Sequence, residues 1–169
     1  MPSEGFFMEK RLIEASERLM RSLERKILTV STAESCTGGL IGASITAIPG
    51  SSAYYAGGAV TYSNELKEQV LKVPHGILFA YGAVSEATAR CMAKGALSAF
   101  GTDLSVAVTG IAGPGGATET KPVGTVFIAV TDGESVMVKE FHFSGDRDAV
   151  RSETVISALK MLTELADSL

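Results

Sequence analysis

The chain has 169 residues, of which 46% are hydrophobic and 20% charged, with a formal net charge of −4. That composition excludes global disorder, and the acidity argues against the basic footprint of a nucleic-acid binder. Cys36, Cys91, His75 and His142 are too scattered for a disulfide framework or a structural zinc site, so a reducing, cytoplasmic protein without a metal is expected. No apolar run approaches the roughly 18 residues of a membrane span, and no signal peptide is visible. Residues 1–7 read as a lead-in and residues 8–169 as a single domain, a size that buries a sizeable core without staples.

Taken in chain order, Leu12, Ser16, Leu19, Leu23 and Ile27 form one helical stripe and predict an amphipathic helix over residues 8–25. Ile27 to Thr32 is short, apolar and β-branched, as a buried strand is. After Ala33–Gly39, Leu40 to Ile48 reads as a helix stopped by Pro49-Gly50. Ala59 to Tyr62 reads as a second strand, and Asn64 as the cap of a helix over Glu65–Leu71, with Pro74 marking its end. Ser85 opens a further helix closed by Gly101, and Leu104–Val108 is a strand followed by a glycine-rich loop. Gly124–Val130 and Val136–Phe143, joined across Asp132-Gly133, predict an antiparallel hairpin. A last helix starts near Asp146, with Val155, Leu159, Leu162 and Ala166 as its stripe.

This order predicts an α/β fold, a three-layer α/β/α sandwich around a mixed, mostly parallel sheet of about five strands. Ligands of such sheets sit beyond the carboxyl ends of strands, which directs attention to the loops after Thr32, Tyr62 and Thr109. The first loop places Ser35 between a strand and a helix N-terminus, where free amides can stabilise an oxyanion. From spacing alone, capping of the helix by Ser35 or Thr37 is the commoner role, and Cys36 is a rival nucleophile whose pKa such a position lowers. The segment is neither a G-x-S-x-G elbow nor a P-loop. In the second loop Lys67 can serve as base to a serine if burial lowers its pKa, although an exposed helix lysine is the commoner case. His75 and His142 are rival bases, but neither has a visible link to Ser35. The third loop, Thr109 to Gly116, can form an anion-binding nest or a plain surface turn, and Lys121 can add positive charge or stay solvated. Arg147 and Arg151 lie on one helix face, where pairing with Asp148 and Glu153 is expected.

Thr32–Gly39, Thr61–Lys67, Gly82–Ser85, Thr109–Gly116 and Lys121–Thr125, with Phe143–Arg147 and Arg151, together resemble the C-terminal domain of CinA, the competence/damage-inducible protein. The resemblance spans about residues 8–166. It implies deamidation of nicotinamide mononucleotide (NMN) to nicotinic acid mononucleotide and ammonia, in pyridine nucleotide recycling, without metal or other cofactor. The motif serine falls on Ser35 as nucleophile, and the motif tyrosine and lysine fall on Tyr62 and Lys67. Amides around Thr37, Gly38 and Gly39 would serve the oxyanion. Thr109, Gly110, Gly113, Gly115, Gly116 and Lys121 would hold the ribose-phosphate. The competing reading is a non-catalytic nucleotide-binding regulatory module using the same loops. The pyrophosphatase activity tied to the family's N-terminal domain is not expected. The small-molecule substrate is expected to be the ligand, with neither nucleic acid nor membrane as partner. An aromatic edge at Tyr54-Tyr55 suits a subunit contact in a homo-oligomer, a dimer or higher.

Overall fold

The computed structural model describes residues 8–169, so the lead-in expected over residues 1–7 lies outside the described residues. Helix α1 (Lys10–Lys26) is followed by β1 (Val30–Glu34), α2 (Leu40–Thr46), a short 3-10 turn at Ser51–Ala53 and β2 (Tyr55–Val60). Next come α3 (Asn64–Leu71), α4 (His75–Tyr81), α5 (Glu86–Phe100) and β3 (Leu104–Gly110). The chain ends in β4 (Thr125–Thr131), β5 (Val136–His142) and α6 (Arg147–Ser168).

The strands form one sheet in the order β2-β1-β3-β4-β5. The β1–β2 and β1–β3 pairs are parallel, and the β3–β4 and β4–β5 pairs are antiparallel. The antiparallel share is thus larger than the sequence suggested, because β4 turns back beside β3 as well as leading into β5. Helices α1, α2 and α6 cover one face, where Leu19, Leu23, Ile41 and Leu159 join Val106 and Ile128. Helices α3, α4 and α5 cover the other, with Met92 and Ala96 against Ala33, Ala107 and Ala129. Strands β1, β3 and β4 are buried on both faces, so β3 and β4 are mostly apolar, while the polar Ser31, Thr32 and Glu34 of β1 are buried with hydrogen-bond partners.

Two boundaries differ from expectation. Ile27 does not begin a strand: it takes the left-handed C-cap of α1, with φ 57°, and is 89% exposed. Strand β2 begins at Tyr55 and is over by Tyr62, because Gly57 and Gly58 pair with Ser31 and Thr32. A Cβ on Gly58 would lie 2.0 Å from Thr32 Oγ1, so only glycine lets the two strands meet there. Helix α4 (His75–Tyr81) is an element the sequence expectation lacks. Pro74 does not simply stop α3 but serves as N-cap of the next helix, so His75 is helical. Tyr54 is 3% exposed and Tyr55 is half-buried with its hydroxyl 2.9 Å from Thr32 Oγ1, so the pair presents no open aromatic edge. Among the described residues no helix is long and apolar enough to cross a membrane.

The register positions the site. Glu34 is opposite both Val60 and Val108, so the three parallel strands end at one edge of the sheet. Ser35, Thr61 and Thr109 therefore emerge side by side.

Candidate active site

Ser35 sits one residue past β1, where its amide still donates to Val108 O at 3.1 Å. The ladder thus fixes its backbone. Beyond it the chain must turn sharply into α2, and Gly38 and Gly39 take φ of 60° and 100°, which residues with a Cβ rarely adopt. Glu34 locks this turn. Its carboxylate accepts from Thr37 Oγ1 at 2.6 Å, from the Ile41 amide at 2.9 Å and from the Gly42 amide at 3.0 Å. A carboxylate at a helix N-terminus satisfies orphan amides and opposes the helix dipole. Neither Ser35 nor Thr37 caps α2, and Ser35 is left available for other work. Glu34→Ala would strand two amides and a buried hydroxyl, with an expected loss on the order of 3 kcal/mol of stability. The urea midpoint checks this, and a loss below about 1 kcal/mol would show that water replaces the carboxylate.

Lys67 comes from α3, whose N-cap is Ser63 rather than Asn64: the Ser63 hydroxyl accepts from the Leu66 amide at 3.1 Å. That cap sets the helix so that position 67 faces inward. Lys67 is 0% exposed and has no carboxylate beside its ammonium among the described residues. Its Nζ donates to Thr61 O at 2.6 Å, to Ser35 Oγ at 3.0 Å and, at 3.4 Å, to Tyr62 O. Burial pulls its pKa from 10.5 down to about 8, with the neighbouring Cys36 opposing the shift. Once neutral, the amine keeps two N–H groups for the two carbonyls, and its lone pair is then aimed at the Ser35 hydroxyl. Cys36 is set apart from this chemistry. Burial raises its thiol pKa to about 11, so it stays protonated.

A cavity of about 200 Å³ opens over this pair, lined by Ser35, Cys36, Lys67, Ala83, Val84, Thr109, Gly110 and Ala112, with Tyr62 and Arg147 among its walls. Tyr62 meets Lys67 through its carbonyl, while its hydroxyl accepts from Arg147 Nη2 at 3.2 Å. Tyr62 is 60% exposed and its side chain makes no hydrogen bond to the amine, so an orienting or relaying hydroxyl is not what the geometry shows. Arg147 also donates to Gly113 O at 2.7 Å, and Arg151 donates to Thr37 O at 2.9 Å. The expected pairing of these arginines with Asp148 and Glu153 is absent among the described residues; Glu153 is taken by Arg11 at 2.6 Å.

The remaining expected site residues divide. Thr109 and Gly110 line the cavity. Thr109 Oγ1, however, is committed to Ala83 O at 2.8 Å. The Thr37 side chain is buried on Glu34, and Gly38 spends its amide on Ser35 O at 3.1 Å. That leaves the Cys36, Thr37 and Gly39 amides with no oxygen acceptor among the described residues. Gly113 contributes its carbonyl to Arg147, whereas Gly115 and Gly116 are exposed and outside the cavity lining. Lys121 Nζ donates to Tyr81 O at 3.1 Å and to Val84 O at short range. His75 and His142 lie away from Ser35, on Glu68 and Glu140 at 2.8 and 3.1 Å. Among the described residues no group of three or more His, Cys, Asp or Glu side chains is placed to hold a metal ion. Glu34, Arg147 and the Ala83-Val84 wall are the parts that sequence reasoning missed or misassigned.

The comparisons agree with this architecture. A CinA-like protein of Citrifermentans bemidjiense is 54% identical over 149 residues, covering 88% of this chain and 36% of the relative. A CinA-like protein of Syntrophus aciditrophicus is 55% identical over 140 residues, covering 82% of this chain and 33% of the relative. The chain thus spans about a third of the length of the curated relatives it matches. The crystal structure of the competence/damage inducible protein CihA from Agrobacterium tumefaciens superposes with a TM-score of 0.91 at 42% identity, covering 95% of this chain and 98% of that one. A CinA superfamily protein from Klebsiella pneumoniae superposes with a TM-score of 0.90 at 35% identity, covering 94% and 99%. The family model of the CinA C-terminal domain matches residues 13–166, and the chain belongs to that family.

Proposed function

We propose that this domain is a serine amidohydrolase that converts NMN to nicotinic acid mononucleotide and ammonia. The observation that carries the reading is the fully buried Lys67, its pKa lowered to about 8 and its amine 3.0 Å from Ser35 Oγ. A lysine buried without a carboxylate partner destabilises its own charge, and such a site holds a base near neutrality.

Ser35 Oγ attacks the carboxamide carbon while its proton passes to neutral Lys67. The amides of Cys36 and Thr37 supply donors to the oxyanion. Lys67 then gives its proton to the departing nitrogen, the C–N bond breaks and ammonia leaves. Water attacks the resulting ester, Lys67 takes the water proton, and the proton returns to Ser35 as the acid is released. The cavity of about 200 Å³ is smaller than a typical whole-ligand site of roughly 300–1,000 Å³, and so suits a flat ring and its amide. The sugar and phosphate then lie at the opening, beside Arg147 and the Gly110–Gly113 backbone.

Ammonia release across NMN, nicotinamide riboside and nicotinamide tests this reading. NMN is expected to be the best substrate, with kcat/KM falling at least about tenfold when the phosphate is removed, the size of one charge-assisted contact. Equal rates on all three would refute the phosphate assignment. Ligand-dependent thermal stabilisation without ammonia would instead favour a binding module.

A further inference from the structure

The cavity wall at Ala83-Val84 has no regular secondary structure of its own, yet every carbonyl from Tyr81 to Val84 is held by a side chain. Gly82 O accepts from Ser85 Oγ at 3.0 Å and from Thr88 Oγ1 at 2.7 Å, both of them local. Ala83 O accepts from Thr109 Oγ1 at 2.8 Å. Tyr81 O and Val84 O both accept from Lys121 Nζ. Lys121 reaches across from the far side of the glycine-rich loop, 37 residues away from Val84 in sequence. Its own backbone is tied into that loop: its amide donates to Thr118 Oγ1 at 3.0 Å, and its carbonyl accepts from the Thr118 amide at 2.9 Å. Gly82, with φ 77°, brings the turn under the ammonium; a Cβ there would lie 4.0 Å from Lys121 Nζ. One cation thus spans both ends of the turn from which Ala83 and Val84 line the cavity.

We propose that Lys121 is a positioning residue that clamps the Tyr81–Val84 turn and so sets the ring slot over Ser35, rather than a ligand for the substrate phosphate. This rests on the amidohydrolase reading above. An ammonium with two of its three N–H groups on carbonyls keeps one to offer an anion, and those two bonds fix where it sits. A wall released from it lets the ring shift relative to Ser35, and small misplacements of a reacting group cost rate more than binding.

The test is steady-state ammonia release by Lys121→Met and Lys121→Arg on the mononucleotide amide and on the same amide without its phosphate. Methionine keeps the aliphatic stem without donors, and arginine keeps two donors for two carbonyls. For Lys121→Met, kcat is expected to fall about tenfold on both substrates, with their kcat/KM ratio unchanged within about twofold, and Lys121→Arg is expected to restore most of the loss. A loss confined to the phosphorylated substrate and seen in KM would overturn the proposal in favour of a phosphate ligand. An unchanged kcat on both would overturn it too. Amide hydrogen exchange separates this proposal from the function it rests on. Lys121→Met is expected to speed exchange at residues 83–86 while leaving α1 unchanged. If wild type releases no ammonia from any amide, the amidohydrolase reading fails, and unchanged exchange at 83–86 still sinks the clamp on its own.

Discussion

Ser35→Ala is expected to lower ammonia release from NMN by at least about 1,000-fold while leaving the fold intact. The substitution removes one oxygen from a residue that is only 8% exposed, and its sole side-chain partner among the described residues is Lys67. Alanine fits the same backbone, which the β3 ladder fixes through Val108. Stability should therefore change little, and substrate binding should survive because the cavity walls are untouched. The comparison is a turnover assay beside a thermal melt. Near-wild-type turnover by a folded variant would remove the covalent scheme and leave Ser35 as a structural turn residue.

Lys67→Met is expected to give a loss of the same order, on a different signature. Wild-type kcat/KM should rise with pH through about 8 as the amine loses its proton, then level off. The variant should retain no such limb. The same group leaves a mark on stability. Its pKa is 10.5 when unfolded and about 8 when folded, so the unfolded chain binds more protons between those values. Stability from this group therefore rises with pH from about 8 to 10.5, and the full penalty applies below that window. Lys67→Met should lack that rise. Chemical denaturation of both proteins across the alkaline range measures it, and parallel curves would show that Lys67 is not a desolvated ammonium.

Much of this was legible in the sequence, for reasons that differ by residue. The helical stripes of α1 and α6 and the Asp132-Gly133 hairpin are local patterns, and local physics decides them. Ser35 and Lys67 could be singled out by type and by their place after strands, but their meeting is non-local. It depends on β1, β2 and β3 ending together, a consequence of parallel register that no spacing reveals. Capping at both loops departs from the sequence expectation for one reason: a neighbouring group competes. Glu34 displaces Ser35 and Thr37 on α2, and Ser63 displaces Asn64 on α3. Arg147 and Arg151 look like helix-surface pairs in sequence because the i, i+4 rule sees only their own helix. The acceptors that claim them, Gly113 O and Thr37 O, lie 34 and 114 residues away. Lys121 and Thr109 read as substrate ligands because they sit in ligand loops; the carbonyls of the opposite wall that accept from them, Tyr81 O and Ala83 O, are far away in sequence.

The central claim is that amide cleavage passes through an ester on Ser35, and partitioning with hydroxylamine tests it most directly. With NMN and added hydroxylamine, an acyl-enzyme should yield the hydroxamate alongside the acid. The hydroxamate fraction should rise with hydroxylamine, and the ammonia-forming step should be unaffected. Ammonia with only the free acid, at any hydroxylamine concentration, would contradict the ester intermediate, and no ammonia at all would contradict the activity.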